Sequence, residues 1–104
     1  AKRLKQAEER MKANDKRGFY DELLKATWGY LSDKLAIPHA DMNKDVATAA
    51  LRKRNIDEAQ IKELAGMIDT AEMALYAPSM VNESLQQTYE KATAIIDQLE
   101  NSLS

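Results

Sequence analysis

The chain has 104 residues and a net charge of −2, with 44% hydrophobic and 31% charged side chains, which predicts a single globular domain and argues against a largely disordered chain. It has no cysteine, and this excludes disulfides, thiolate zinc sites and thiol catalysis. No apolar run approaches the roughly 18 residues of a membrane span, and no signal-peptide pattern opens the chain.

The first predicted helix runs from about Lys2 to Ala13, with Leu4, Ala7 and Met11 on one face. It has no N-capping residue, which predicts that the helix continues from upstream sequence. Residues 1–17 hold seven basic and three acidic side chains, whereas residues 18–104 hold eight basic and fourteen acidic ones. Residues 1–17 are therefore basic and the remainder of the chain is acidic. We treat residues 1–104 as a single domain, in which residues 1–16 form a basic lead segment.

This basic lead segment has three interpretations. It is a solvated helix, a segment just cytoplasmic of an upstream membrane span, or a contact for nucleic acid. Glu8 and Glu9 interrupt the basic side chains, and the acidic remainder would repel phosphate. No nucleic acid partner is therefore expected.

The second predicted helix is capped by Asp15 and runs from about Arg17 to Ala36. It is rich in aromatic residues, and its apolar side chains cover an arc of about 200° at 100° per residue. So wide a face predicts a central helix covered by several neighbours. Trp28 lies at the edge of this arc, so we expect its ring to be packed on one side and exposed on the other. Trp28 is the candidate partner-binding residue.

Three further helices follow. Asn43 or Asp41 caps a third helix over about 44–54, with Asn55 as its stop signal. Asp57 begins a fourth helix over about 58–77, which ends at Pro78. The fifth helix is predicted to begin at Ser79 or Asn82 and to run nearly to the end of the chain.

Glu72 is predicted to be a buried polar tie. Glu72 lies near the centre of the predicted apolar face of the fourth helix. Six side chains are assigned to this face: Ile61, Leu64, Ala65, Ile68, Leu75 and Tyr76. A buried carboxylate needs hydrogen-bond donors. We expect them among Trp28, Tyr20, Tyr30, Arg52 and Arg54. The role expected for Glu72 is to fix helix packing, and it is not assigned as a catalytic acid.

The five predicted helices indicate an all-α fold, either a five-helix bundle or an array of helical hairpins with short connections. The first two helices are similar to a single tetratricopeptide-like hairpin. No repeat of solenoid length accompanies them.

The sequence offers no pattern typical of catalysis. His39 is the only histidine, and the three glycines are scattered, so paired-histidine metal sites and phosphate-binding glycine loops are excluded. We predict no catalytic, cofactor-binding or metal site, and we do not expect an enzyme.

Two stretches carry a family resemblance: "FYDELLKATWGYLSDKLAIP", from Phe19 to Pro38, and "LRKRNIDEAQIKELAGMIDTAEMALYAP", from Leu51 to Pro78. Together with the basic lead helix and the long last helix, they resemble the C-terminal cytoplasmic helical domain of BatD, the aerotolerance-operon protein family. The resemblance covers nearly the whole chain and depends on helix-packing residues.

The resemblance implies a specific setting. Proteins of this family have extracytoplasmic β-rich domains, one membrane span and a small helical domain in the cytoplasm. They are encoded beside a MoxR-type AAA+ ATPase and proteins with von Willebrand factor A domains. It therefore implies a non-catalytic interaction module on the cytoplasmic side of the inner membrane, with those proteins as partners. The alternatives are a basic-helix binder of nucleic acid or anionic lipid, and a helical spacer with no partner of its own.

Overall fold

The computed structural model describes residues 4–103, which form five α-helices and two 3₁₀ turns with no strand among them. The helices are α1 (Lys5–Lys12), α2 (Lys16–Leu35), α3 (Lys44–Lys53), α4 (Glu58–Tyr76) and α5 (Leu85–Leu103). The 3₁₀ turns are His39–Asp41 and Pro78–Met80. The prediction of an all-α, five-helix fold is confirmed. The part of the predicted first helix at Lys2 and Arg3 lies outside the described residues.

Three predicted capping residues are the N-caps of the helices to which they were assigned. Carboxylate or amide oxygens of Asp15, Asn43 and Asp57 accept hydrogen bonds of 3.0, 2.8 and 3.2 Å from backbone N–H groups in the first turns of α2, α3 and α4. Each bond satisfies a donor that the helix itself leaves unpaired. Short polar residues in the sequence therefore locate these three helix starts.

The predicted start of the fifth helix is wrong. Pro78–Met80 forms a 3₁₀ turn, and α5 begins only at Leu85. Ser84 caps it: the Gln87 N–H donates to Ser84 Oγ at 3.1 Å, and the Ser84 N–H donates to Gln87 Oε1 at 3.3 Å. This reciprocal capping box stabilises a start several residues later than the first polar residue after Pro78.

Three connections use a left-handed residue. Asn14, Ala36 and Asn55 have φ angles of 57°, 54° and 62°. Asparagine tolerates this conformation, which agrees with the predicted stop at Asn55. Ala36 has no polar side chain to favour it, so the turn that leads into Pro38 is locally strained.

The core lies around α2 and α4. α2 contacts α1, α3, α4 and α5, as predicted for a central helix. Its Phe19 and Tyr20 rings are fully buried and meet edge to face, with centroids 5.0 Å apart. α1 packs against α2 and α5, and Ala7 on α1 and the preceding Leu4 are buried in the core. The resemblance of the α1–α2 pair to a tetratricopeptide hairpin stays a prediction.

Candidate protein-interaction surface

Trp28 lies where its position on the helix predicts. It is partly buried and packs against the core from the edge of α2. Leu24 precedes it by one helical turn on the same edge and is also partly buried. The two side chains therefore form an apolar margin along α2 that is open to solvent on one side.

Glu72 is not a buried polar tie. Its side chain is exposed, and none of the described residues donates a hydrogen bond to its carboxylate. Neither Trp28 nor the tyrosines of α2 reach it, and Arg52 instead pairs with Glu58, with Nη2 2.9 Å from Oε1.

The cause of this error is the orientation of α4. The buried face of α4 consists of Ile61, Leu64, Met67, Ile68, Ala71 and Ala74. The prediction counted Ala65 and Tyr76 in that face and left out Met67, Ala71 and Ala74. At 100° per residue, this rotates the face by about 60°. Glu72 consequently lies at the margin of the face and not at its centre.

The margins of α2 and α4 meet at a shallow groove lined by Leu24, Glu72, Leu75 and Tyr76, with a volume of about 540 Å³. Leu24 and Leu75 form its apolar floor, because both are partly buried against the core. Glu72 and Tyr76 are exposed and stand one helical turn apart on α4. We call these four residues together with Trp28 the docking surface.

Tyr76 is the most solvent-exposed of the large hydrophobic side chains in residues 4–103, at 91%. Met73 and Met80, 46% and 70% exposed, lie on either side of it in the chain. Residues 73–82 contain no charged side chain. Exposed apolar residues are ordinary when they are scattered, but a concentration in one short segment marks a candidate contact surface.

Glu72 is the one charged side chain of the docking surface, and Lys44 lies within electrostatic range of it. Asp69, one turn before Glu72, pairs with Lys44 at 2.7 Å, and this hydrogen bond is the main cause that raises the pKa of Lys44 above its ordinary value. The last turn of α4 contains no basic residue, so the negative end of its helix dipole is not neutralised by its own side chains. Lys16, on α2, supplies a cation just beyond this end of α4, where its Nζ lies 3.0 Å from the Pro78 carbonyl oxygen.

Tyr20 takes part in a polar network that the sequence does not predict. The Tyr20 hydroxyl lies 3.3 Å from Thr88 Oγ1, and Thr88 donates to Glu83 Oε2 at 2.9 Å. Lys91 Nζ completes the network by donating a 2.5 Å hydrogen bond to Glu83 Oε1. The acid of this network is thus Glu83, from the loop before α5, and both of its partners lie on α5. An acid in a loop gives no helical periodicity that could reveal this.

Glu83, Thr88 and Lys91 also line a cleft of about 480 Å³ between α4 and α5. The hydrogen bond from Lys91, with a smaller contribution from Thr88, holds the pKa of Glu83 below its usual range. A carboxylate held ionised in this way is a poor general acid at neutral pH. The arrangement is typical of a structural ion pair.

Lys16 holds the α4–α5 connection from the other side. Its Nζ donates to the carbonyl oxygens of Pro78 and Val81 at 3.0 and 3.1 Å. The segment that carries Met80 is therefore anchored at both ends, by Lys16 and by the Glu83 network. This positions the uncharged segment beside the docking surface.

Groups capable of chemistry are sparse among residues 4–103. Residues 4–103 contain no cluster of three histidine, aspartate or glutamate side chains able to hold a metal ion. His39 is exposed in the first 3₁₀ turn.

Several basic side chains of the lead segment have internal partners. Arg10 pairs with Asp15 at 3.4 Å, and Lys12 lies 4.0 Å from Glu8. Together with Lys16, which binds carbonyl oxygens, these contacts reduce the positive charge that the segment presents outward.

None of the helices in the described part of the chain is long and apolar enough to cross a membrane. No protein-family model matches the chain, and searches of the curated proteins and of the solved structures found no significant match.

Proposed function

We propose that the chain is a non-catalytic protein-interaction module, the cytoplasmic tail domain of a single-span membrane protein related to aerotolerance or stress tolerance. Its partners are proteins with von Willebrand factor A domains and a MoxR-type AAA+ ATPase. The family part of this proposal depends on the resemblance of residues 19–38 and 51–78 to BatD. The interaction part depends on the exposure of Tyr76 beside an apolar groove.

The exposure of Tyr76 is the observation that carries the interaction role. A tyrosine ring that is 91% exposed contributes little to the core of its own domain. Tyrosine and tryptophan are the side chains that most often dominate binding energy at protein interfaces. Leu24 and Leu75 line the groove with Tyr76 and are partly buried, which is the arrangement of an anchor next to a pocket. Trp28 extends this apolar surface by one helical turn from Leu24 along α2.

The alternative, binding of nucleic acid or anionic lipid by residues 2–17, receives less support. Arg10, Lys12 and Lys16 already have internal partners. If that alternative held, retention on DNA or anionic vesicles would fall with salt and with neutralisation of Lys5, Arg10 and Lys12.

Site-specific photo-crosslinking tests the proposal. A benzoylphenylalanine is placed at position 76 or 28, or at the exposed control position 39, and each protein is incubated with a detergent extract of source membranes. We expect crosslinks from positions 76 and 28 to a protein with a von Willebrand factor A domain or to an AAA+ ATPase. Equal labelling from position 39, or no labelling by any variant, would contradict the proposed role.

A further inference from the structure

We propose that the docking surface binds an arginine side chain of a helical, otherwise apolar partner segment, with the guanidinium held between the Glu72 carboxylate and the Tyr76 ring. This inference rests on the proposed interaction function, and it adds the chemistry that the partner must present.

The placement of Glu72 and Tyr76 on α4 suits a guanidinium between them. Glu72 and Tyr76 are separated by four residues on α4 and line the same groove, so their Cβ atoms are about 6 Å apart on one face. Both side chains are exposed. An arginine fits such a pair, because its planar guanidinium donates two parallel hydrogen bonds to a carboxylate and stacks on an aromatic face.

The charge of Glu72 is complementary to that of an arginine. Glu72 is the one charged residue among the four that line the groove, and no described residue donates a hydrogen bond to it. The last turn of α4 lacks a basic residue, and Lys16, just beyond it, is occupied by the carbonyl oxygens of Pro78 and Val81. Lys44 lies within electrostatic range of Glu72, but its ammonium donates its hydrogen bond to Asp69, so the Glu72 carboxylate oxygens stay open to a hydrogen-bond donor.

The rest of the partner segment, on either side of the arginine, must cover the apolar floor of the groove. Leu24 and Leu75 form an apolar floor that one or two aliphatic side chains would cover. Residues 73–82 present Met73 and Met80 without a charge. A helix with aliphatic side chains at i and i+3 or i+4 around one arginine would satisfy both the floor and the carboxylate.

A pair of model peptides tests this inference directly. Both are capped 14-residue helices of alanine with leucine on one face. One has a single central arginine, and its twin has citrulline, the neutral isostere, at the same position. Binding is followed by amide and tyrosine-ring NMR shifts of the labelled chain at low salt.

We expect the arginine peptide to shift Leu24, Glu72 and Tyr76 and to bind about fivefold more tightly than its twin. Glu72→Gln should abolish this preference without changing the fold, because Glu72 is exposed. Asp97→Gln, at an exposed position of α5, is the matched control and should leave the preference intact.

The other outcomes have definite meanings. Equal binding of both peptides at these residues would overturn the arginine inference and leave the proposed docking surface standing. Shifts elsewhere, or no shift with either peptide, would also overturn the inference, while the crosslinking experiment decides the proposed function separately. Shifts at the same residues that depend on protein concentration alone would identify a second copy of the chain as the occupant and would reject a separate partner.

Discussion

The hydroxyl of Tyr20 on α2 lies 3.3 Å from Thr88 Oγ1 on α5, and both side chains are almost fully buried. Because Thr88 donates its own proton to Glu83, Tyr20 acts as the donor to Thr88. This contact connects the central helix to the first turn of α5. Its removal should therefore affect stability more than any single ion pair on the surface.

Replacement of Thr88 by valine keeps the volume of the side chain and removes the hydroxyl. We expect Thr88→Val to lower the free energy of unfolding by about 1–3 kcal/mol, because the buried Tyr20 hydroxyl loses its acceptor. Urea denaturation of Thr88→Val, Tyr20→Phe and the double variant measures the coupling. If the two single effects simply add, the proposed hydrogen bond has no energetic role.

The Glu83–Lys91 pair predicts a pH dependence. The folded-state pKa of Glu83 is lowered, mainly by Lys91. Its contribution to stability is therefore present above the pKa of the unfolded state, about 4.3, and is lost as the pH falls through the folded-state value. NMR titration of the Glu83 carboxyl should show its pKa rise towards the ordinary value in Lys91→Met. An unchanged pKa in that variant would contradict the assignment of Lys91 as the main cause.

Ala36 offers a stabilising change. Its φ of 54° disfavours any residue with a Cβ, so we expect Ala36→Gly to raise the melting temperature and to add about 1 kcal/mol to the free energy of unfolding. Ala13→Gly is the matched control, because Ala13 also follows a helix but has φ of −82°. A gain at Ala13 as large as at Ala36 would show that the backbone conformation is not the cause.

Gly18 and Gly66 should respond in opposite directions to alanine. A Cβ on Gly18 would lie 2.2 Å from the Asp15 carboxylate that caps α2, whereas a Cβ on Gly66 meets nothing within 4 Å. Gly18→Ala should therefore cost about 1 kcal/mol through the lost cap. Gly66→Ala should gain up to about 1 kcal/mol from helix propensity. Thermal unfolding of the two variants compares them, and a change of the same sign in both would refute this explanation.

Trp28→Ala separates two roles of one side chain. If Trp28 contributes mainly to docking, the variant stays folded and binds the membrane partner less tightly. If the ring is instead required by the core, the loss approaches the 3–5 kcal/mol typical of a buried aromatic. Circular dichroism and the binding assay together distinguish these results, and unchanged binding by a folded variant would remove Trp28 from the docking surface.

The sequence predicted those features that depend on local chemistry. Capping residues located three helix starts, and the periodicity of α2 placed Trp28 at an edge. The orientation of α4 was misjudged because alanine is ambiguous in a hydrophobic pattern: Ala71 and Ala74 are buried, whereas Ala65 is only partly so. Tyr76 was counted as core because its ring is apolar, although the helix ends there and no neighbour covers it.

The groove and the Glu83 network could not be predicted in the same way. Both bring together residues that are far apart in sequence, such as Leu24 with Leu75 and Tyr20 with Thr88. Their positions depend on how α2, α4 and α5 pack, which the pattern of any single helix does not specify. The prediction that Glu72 accepts a hydrogen bond from α2 is wrong; Tyr20 contacts Thr88, and Thr88 in turn donates to Glu83.

The central claim is that the chain binds its partner through the docking surface, and retention of that partner by Tyr76→Ser tests it most directly. Wild type, Tyr76→Ser and the control His39→Ser are immobilised at equal density and compared for retention of the membrane protein that crosslinks from position 76. All three should unfold at similar temperatures, because Tyr76 and His39 are both exposed. We expect Tyr76→Ser to retain about a tenth of the partner or less, and His39→Ser to match wild type. Equal retention by all three proteins would contradict the claim.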